Sequence, residues 1–81
     1  MQFHESSLRA MVAAWEALPT PFGADDAARS SVVAWYSENR MVLALILPCP
    51  CEPVDEVNEH TAAWAASCGT VACAHLRARL Q

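Results

Sequence analysis

Leu8, Met11, Val12, Trp15 and Leu18 recur at the i, i+3, i+4, i+7 spacing that places side chains on one helical face. Ser6 or Ser7 can cap the start through a hydroxyl that accepts from free backbone N–H groups, and Pro19 with Pro21 stops the run. The pattern predicts a helix over residues 6–18. Residues 20–24 (Thr-Pro-Phe-Gly-Ala) predict a loop. A second helical pattern covers Val54, Val57, Thr61, Trp64 and Cys68, with acidic Glu52, Asp55, Glu56 and Glu59 at its start. It predicts a helix over about 54–67 that ends at Gly69, a residue suited to a left-handed helix end.

Between these two helices the pattern changes. Residues 31–36 hold the β-branched and aromatic side chains Val32, Val33, Trp35 and Tyr36 and predict a strand. The rival is a helix capped by Asp25 or Asp26 and running through Ala28, Val32, Trp35 and Tyr36. Residues 37–40 are turn-like, with Asn39 able to take a left-handed conformation. Residues 41–47 (Met-Val-Leu-Ala-Leu-Ile-Leu) are apolar without interruption and predict a buried return strand, closed by Pro48. Residues 48–53, with three prolines, predict a stiff extended connector. In 70–80, alternation of Ala72, Ala74, Leu76, Ala78 and Leu80 against Val71, Cys73, His75, Arg77 and Arg79 favours a third strand. The alternative is a short helix with Ala72, Cys73, Leu76 and Leu80 on one face.

The fold expected is therefore α+β in one small domain spanning 1–81: a helix, an antiparallel β-hairpin, a second helix and a C-terminal strand or short helix. Strand alternation puts Val32, Ala34, Tyr36, Val42, Ala44 and Ile46 on a sheet face that the helices do not cover. That face calls for a partner: a second copy in a homodimer, or another protein.

Composition adds a reason to expect association. Hydrophobic residues make up 54% of the chain and charged ones 17%, so few ionic groups are available for a solvating surface. The net charge is −4, concentrated in Glu52, Asp55, Glu56 and Glu59, a cluster able to face a basic partner. The cations are five arginines with no basic stripe, so direct nucleic-acid binding is not expected. The N-terminal residues lack the basic-then-apolar order of a signal peptide, and the seven-residue run 41–47 falls short of the about 20 residues of a membrane span. A reducing cytoplasm follows as the expected compartment, with the cysteines as thiols or metal ligands.

Candidate chemistry is sparse. Cys49, Cys51, Cys68 and Cys73 could supply four thiolates to zinc, but one residue separates the first pair and four the second, unlike the usual paired spacing. His60 or His75 could replace one of them. A Cys-x-x-Cys redox motif is absent. Glu56, Glu59 and His60 lie within about one helical turn, and Glu56 with His60 could bind a cation or exchange a proton, although no nucleophile, substrate cradle or second carboxylate on a separate element accompanies them. Asp25 and Asp26 fit a local turn or helix start better than a calcium loop. Trp15, Trp35 and Trp64 fall on separate predicted elements, as core residues would, while Tyr36 reads as an exposed aromatic contact. Arg77 and Arg79 form a small basic spot.

These residues point to a non-enzymatic protein-binding module, a small regulator or inhibitor of a larger intracellular assembly. An inhibitor of the anti-CRISPR or antitoxin type, carried by a phage or mobile element, would suit the size and the acidic cluster. The competing expectation is a small zinc-stabilised protein built on the four cysteines.

Overall fold

The computed structural model describes residues 3–48 and 50–81 and has four α-helices: α1 (Glu5–Glu16), α2 (Asp26–Glu38), α3 (Arg40–Ile46) and α4 (Glu59–Leu80). No strand occurs among the described residues, so the expected α+β fold and its hairpin are replaced by an all-helical one. α1 follows the hydrophobic spacing and buries Leu8, Met11, Val12 and Trp15. It starts at Glu5 with His4 as its cap and ends at Glu16, so Ser6 and Ser7 lie inside its first turn.

Residues 31–36, expected as a strand, lie inside α2. The Asp25 carboxylate accepts from the Ala28 backbone N–H at 2.8 Å and starts the helix. Ala28, Val32, Trp35 and Tyr36 then share a helical face, joined by Val33, and all five are buried. The β-branched residues carry only a weak intrinsic preference for strand, and packing of this face outweighs it. The expected turn at 37–40 is a junction between two helices. Asn39 sits there with φ −108°, outside the left-handed region, and its side-chain amide donates to the Trp35 carbonyl at 2.8 Å.

The apolar run 41–47, expected as a buried strand, forms α3 and the residue after it. A helix sends these side chains in all directions. Leu43 and Leu47 are buried, Val42 and Ile46 are half-buried, and Met41 and Leu45 are 72% and 59% exposed. Leu47 ends the helix in extended geometry because Pro48 disfavours helical backbone in the residue before it.

The second expected helix and the third expected strand are parts of α4. It starts later than the sequence pattern suggested. Asn58 and Thr61 form a capping box: the Asn58 side chain accepts from the Thr61 N–H, and the Thr61 hydroxyl accepts from the Asn58 N–H, each at 2.9 Å. The helix then runs through Gly69 instead of ending there. Gly69 is buried against the Trp15 ring of α1, where a Cβ would collide with the indole. Close approach of two helices, not a left-handed turn, explains this glycine. Ala72, Cys73 and Leu76 continue the inward face, so 70–80 follows the helical alternative.

α4 packs against each of the other three helices. The core cluster draws on all four helices and on Cys51 of the connector. At its centre, Trp15 lies 4.7 Å from Phe22 and 4.8 Å from Trp35 between ring centroids, and the Trp35 indole N–H donates to the Met11 carbonyl at 3.0 Å. Among the described residues, no helix is long and apolar enough to cross a membrane.

Candidate protein-docking surface

α4 carries no Asp, Glu, Lys or Arg over the sixteen positions 61–76. Seven of those positions, Ala62, Ala65, Cys68, Gly69, Ala72, Cys73 and Leu76, face inward. Seven others, Ala63, Trp64, Ser67, Thr70, Val71, Ala74 and His75, are exposed. His60, Trp64, Ser67, Val71, Ala74 and Ala78 are all exposed and follow one another at alternating steps of four and three residues. This spacing makes a nearly straight seam along a helix, the same seam that packs one helix against another. Trp64 is 39% exposed and Val71 45%. A surface helix ordinarily places charged or strongly polar groups opposite its apolar stripe. Here the outward positions between the ends of α4 are apolar, small or neutral.

Trp64 is held from below. The Tyr36 hydroxyl donates to the Glu52 carbonyl at 2.7 Å and accepts from the Trp64 indole N–H at 3.4 Å. This pair of bonds ties α2, the connector and α4 together. Burial pushes the Tyr36 phenol above its ordinary range, with the Trp64 N–H pulling the other way. One edge of the Trp64 indole is thus oriented while part of the ring stays open to solvent, as in a preformed aromatic contact.

The two ends of the seam carry opposite charge. Glu52, Asp55, Glu56 and Glu59 are exposed on the connector and in the first turn of α4. Arg77 and Arg79 are exposed in its last turn. Among the described residues, each end has one loose ion pair to a neighbouring helix: Glu59 with Arg29 at 3.5 Å, and Arg77 with Glu16 at 3.4 Å. Both acids and Arg77 remain substantially solvated in these pairs, which therefore contribute little to stability.

The residues expected to form a sheet face do not share a surface. Val32 and Tyr36 are 0% exposed and belong to the core. Val42 and Ile46 are half-buried, and Ala34 and Ala44 are exposed on α2 and α3. Their grouping rested on a two-residue period that a helix does not have. Tyr36, expected as an exposed contact, instead positions Trp64, which was expected in the core. The signal for the α4 face is the uncharged stretch 61–76, which a helix ending at Gly69 would split in two.

Of the candidate metal ligands, Cys49 lies outside the described residues. Cys51, Cys68 and Cys73 are buried. Burial pushes the Cys73 thiol up to about 11, against a smaller pull from Arg77 and a further push from Glu16. Among the described residues, no three His, Cys, Asp or Glu side chains come together to hold a metal ion. Glu56 precedes α4 while His60 lies in its first turn, so the two do not share a helical face. Asp25 caps α2, and Asp26 pairs with Arg29 at 3.1 Å.

Two surface grooves flank α1. One, about 350 Å³, is lined by Arg9, Val12, Glu16, Arg77 and Leu80, and is crossed by the Arg9 guanidinium donating to the Leu80 carbonyl at 2.8 Å. The other lies between Phe3, His4, Leu8, Leu45, Ile46 and Arg79. Neither brings a nucleophile together with a general base. No protein-family model matches the chain, and neither does any curated protein or solved structure compared with it.

Proposed function

We propose that this chain is a non-enzymatic protein-binding module, a small regulator or inhibitor that docks through the outward face of α4. The uncharged, exposed seam from His60 to Ala78 carries the reading. A tryptophan oriented through its indole N–H, on the same seam as an exposed valine and small side chains, suits a contact in which a partner side chain covers the ring and excludes water. The acidic cluster beside the seam would favour a partner region with basic groups and speed the encounter.

A photo-crosslinking amino acid in place of Ser67, on the seam, is the direct test when compared with one in place of Ala14 on the exposed side of α1. In the native host, the first should give protein adducts, to a second copy or to another protein, that disappear when Val71→Arg is added. Equal adducts at both positions, or adducts at Ser67 indifferent to Val71→Arg, would refute docking through this face.

A further inference from the structure

We infer that the partner on the α4 seam is a second copy of this chain, packed antiparallel across a two-fold axis that passes beside Gly69. The inference rests on the docking reading above and names its partner. Charge supplies the orientation. An antiparallel pair brings the acidic start of each helix, Glu56 and Glu59, beside the basic end of the other, Arg77 and Arg79. A parallel pair sets acid beside acid and arginine beside arginine. The helix dipoles favour the antiparallel arrangement as well, since each positive end then meets a negative one. Among the described residues, Glu59 and Arg77 are held in their own chain by long, partly solvated ion pairs, so either can be shared with a second copy.

Side-chain volume agrees with charge. With the axis beside Gly69, Trp64 lies over Ala74 of the second copy, Ser67 over Val71 and His60 over Ala78. Each contact sets a larger side chain against a smaller one, the condition for interdigitation. A parallel pair in register would instead oppose Trp64 with itself and Ser67 with itself. A two-fold contact is also self-complementary, so both copies use the same patch and no second surface is needed. α4 is about 33 Å long at 1.5 Å per residue, matching the 33 Å long dimension of the molecule. One helix pair is small by the standard of stable complexes, which bury about 1,200 Å² or more. Association should therefore depend on concentration.

Light scattering across a dilution series, on wild type, Val71→Arg and Ser67→Arg, reads the association. A photo-crosslinker in place of the exposed His60 reads its orientation. The expected results are a dimer mass for wild type and a monomer mass for both arginine variants, with far-ultraviolet circular dichroism unchanged. Crosslinks from position 60 should map to residues 75–81 of the second copy. A wild type that is monomeric at its highest soluble concentration, arginine variants as dimeric as wild type, or crosslinks running from 60 to 60 would each overturn the inference. A monomer that still forms Val71-dependent adducts with a different protein in the host overturns self-pairing alone. Loss of both kinds of adduct overturns the docking reading too.

Discussion

Gly69→Ala sets two effects of known sign against each other. In the middle of a helix, alanine is favoured over glycine by about 1 kcal/mol, so an unobstructed site would be stabilised. At Gly69 the added Cβ meets the Trp15 ring at Cζ3, and lies 2.5 and 2.7 Å from Cη2 and Cε3, where ordinary contacts begin at 3.4 Å. Relief requires α1 and α4 to separate or the indole to retreat. Phe22 and Trp35 stand within 4.8 Å of the Trp15 ring, and the Trp35 hydrogen bond to Met11 restrains one of them. Overpacking of a constrained core costs about 1–3 kcal/mol, and an overlap this deep belongs at the upper end. Subtracting the helix gain of about 1 kcal/mol leaves a net loss of about 2 kcal/mol. For a domain of 81 residues, at about 4–8 °C per kcal/mol, Tm should fall by about 8–16 °C. Thermal and urea unfolding followed by circular dichroism measure this. The same substitution in a Trp15→Phe background should lose most of its cost, because the smaller ring withdraws the outer indole atoms. A Tm that rises on Gly69→Ala in the wild-type background would refute close helix approach as the reason for this glycine.

Tyr36→Phe keeps the ring in the core but removes the hydroxyl joining Glu52 to Trp64. It should cost about 1–2 kcal/mol and speed amide exchange around Val54; unchanged urea stability and exchange would show that the hydroxyl does not anchor the connector. Cys73, protonated up to about 11 when folded against an ordinary thiol value of 9.0, should resist iodoacetamide in the native state and react on unfolding. Between those two values the folded state holds a proton that the unfolded state has released, so stability present below pH 9 declines as pH rises toward 11. The chain has no lysine to confuse this window, and Tyr36, also raised, contributes the same sign. Cys73→Ala should flatten the decline, and an unchanged slope would assign it elsewhere.

The helical segments were readable to different degrees for physical reasons. α1 showed one clean period with prolines after it, and little in its surroundings competes with that signal. α2 contained both signals at once: an Asp cap with buried residues at helical spacing, and a cluster of β-branched and aromatic side chains. What decided between them was the presence of α4 and α1 to receive the helical face, a tertiary fact that local propensity does not encode. Residues 41–47 offered no period of any kind, because every position is apolar. Such a run fits a two-sided strand and a short helix equally well. Gly69 suits a helix end by its backbone freedom, whereas its role comes from a side chain it lacks and from a tryptophan 54 positions earlier.

A strand at 41–47 would have needed cover on two faces, and the missing cover would have been the reason to expect association. As a helix, the same residues divide between the core, at Leu43 and Leu47, and the surface, at Met41 and Leu45. Two exposed side chains on a short helix are ordinary for a small protein and by themselves call for nothing. On α4, absence of charge extends over four turns and reaches an outward face that the other described residues leave open. A helix serving only its own core would tolerate lysine or glutamate at Ser67, Val71 and Ala74, and such residues would add solubility without disturbing the fold. The sequence places none there, while it places acid at one end of the same helix and arginine at the other. Charge restricted to the ends, with a tryptophan oriented through its indole N–H between them, is the distribution expected of a helix that lies alongside a second helix running in the opposite direction.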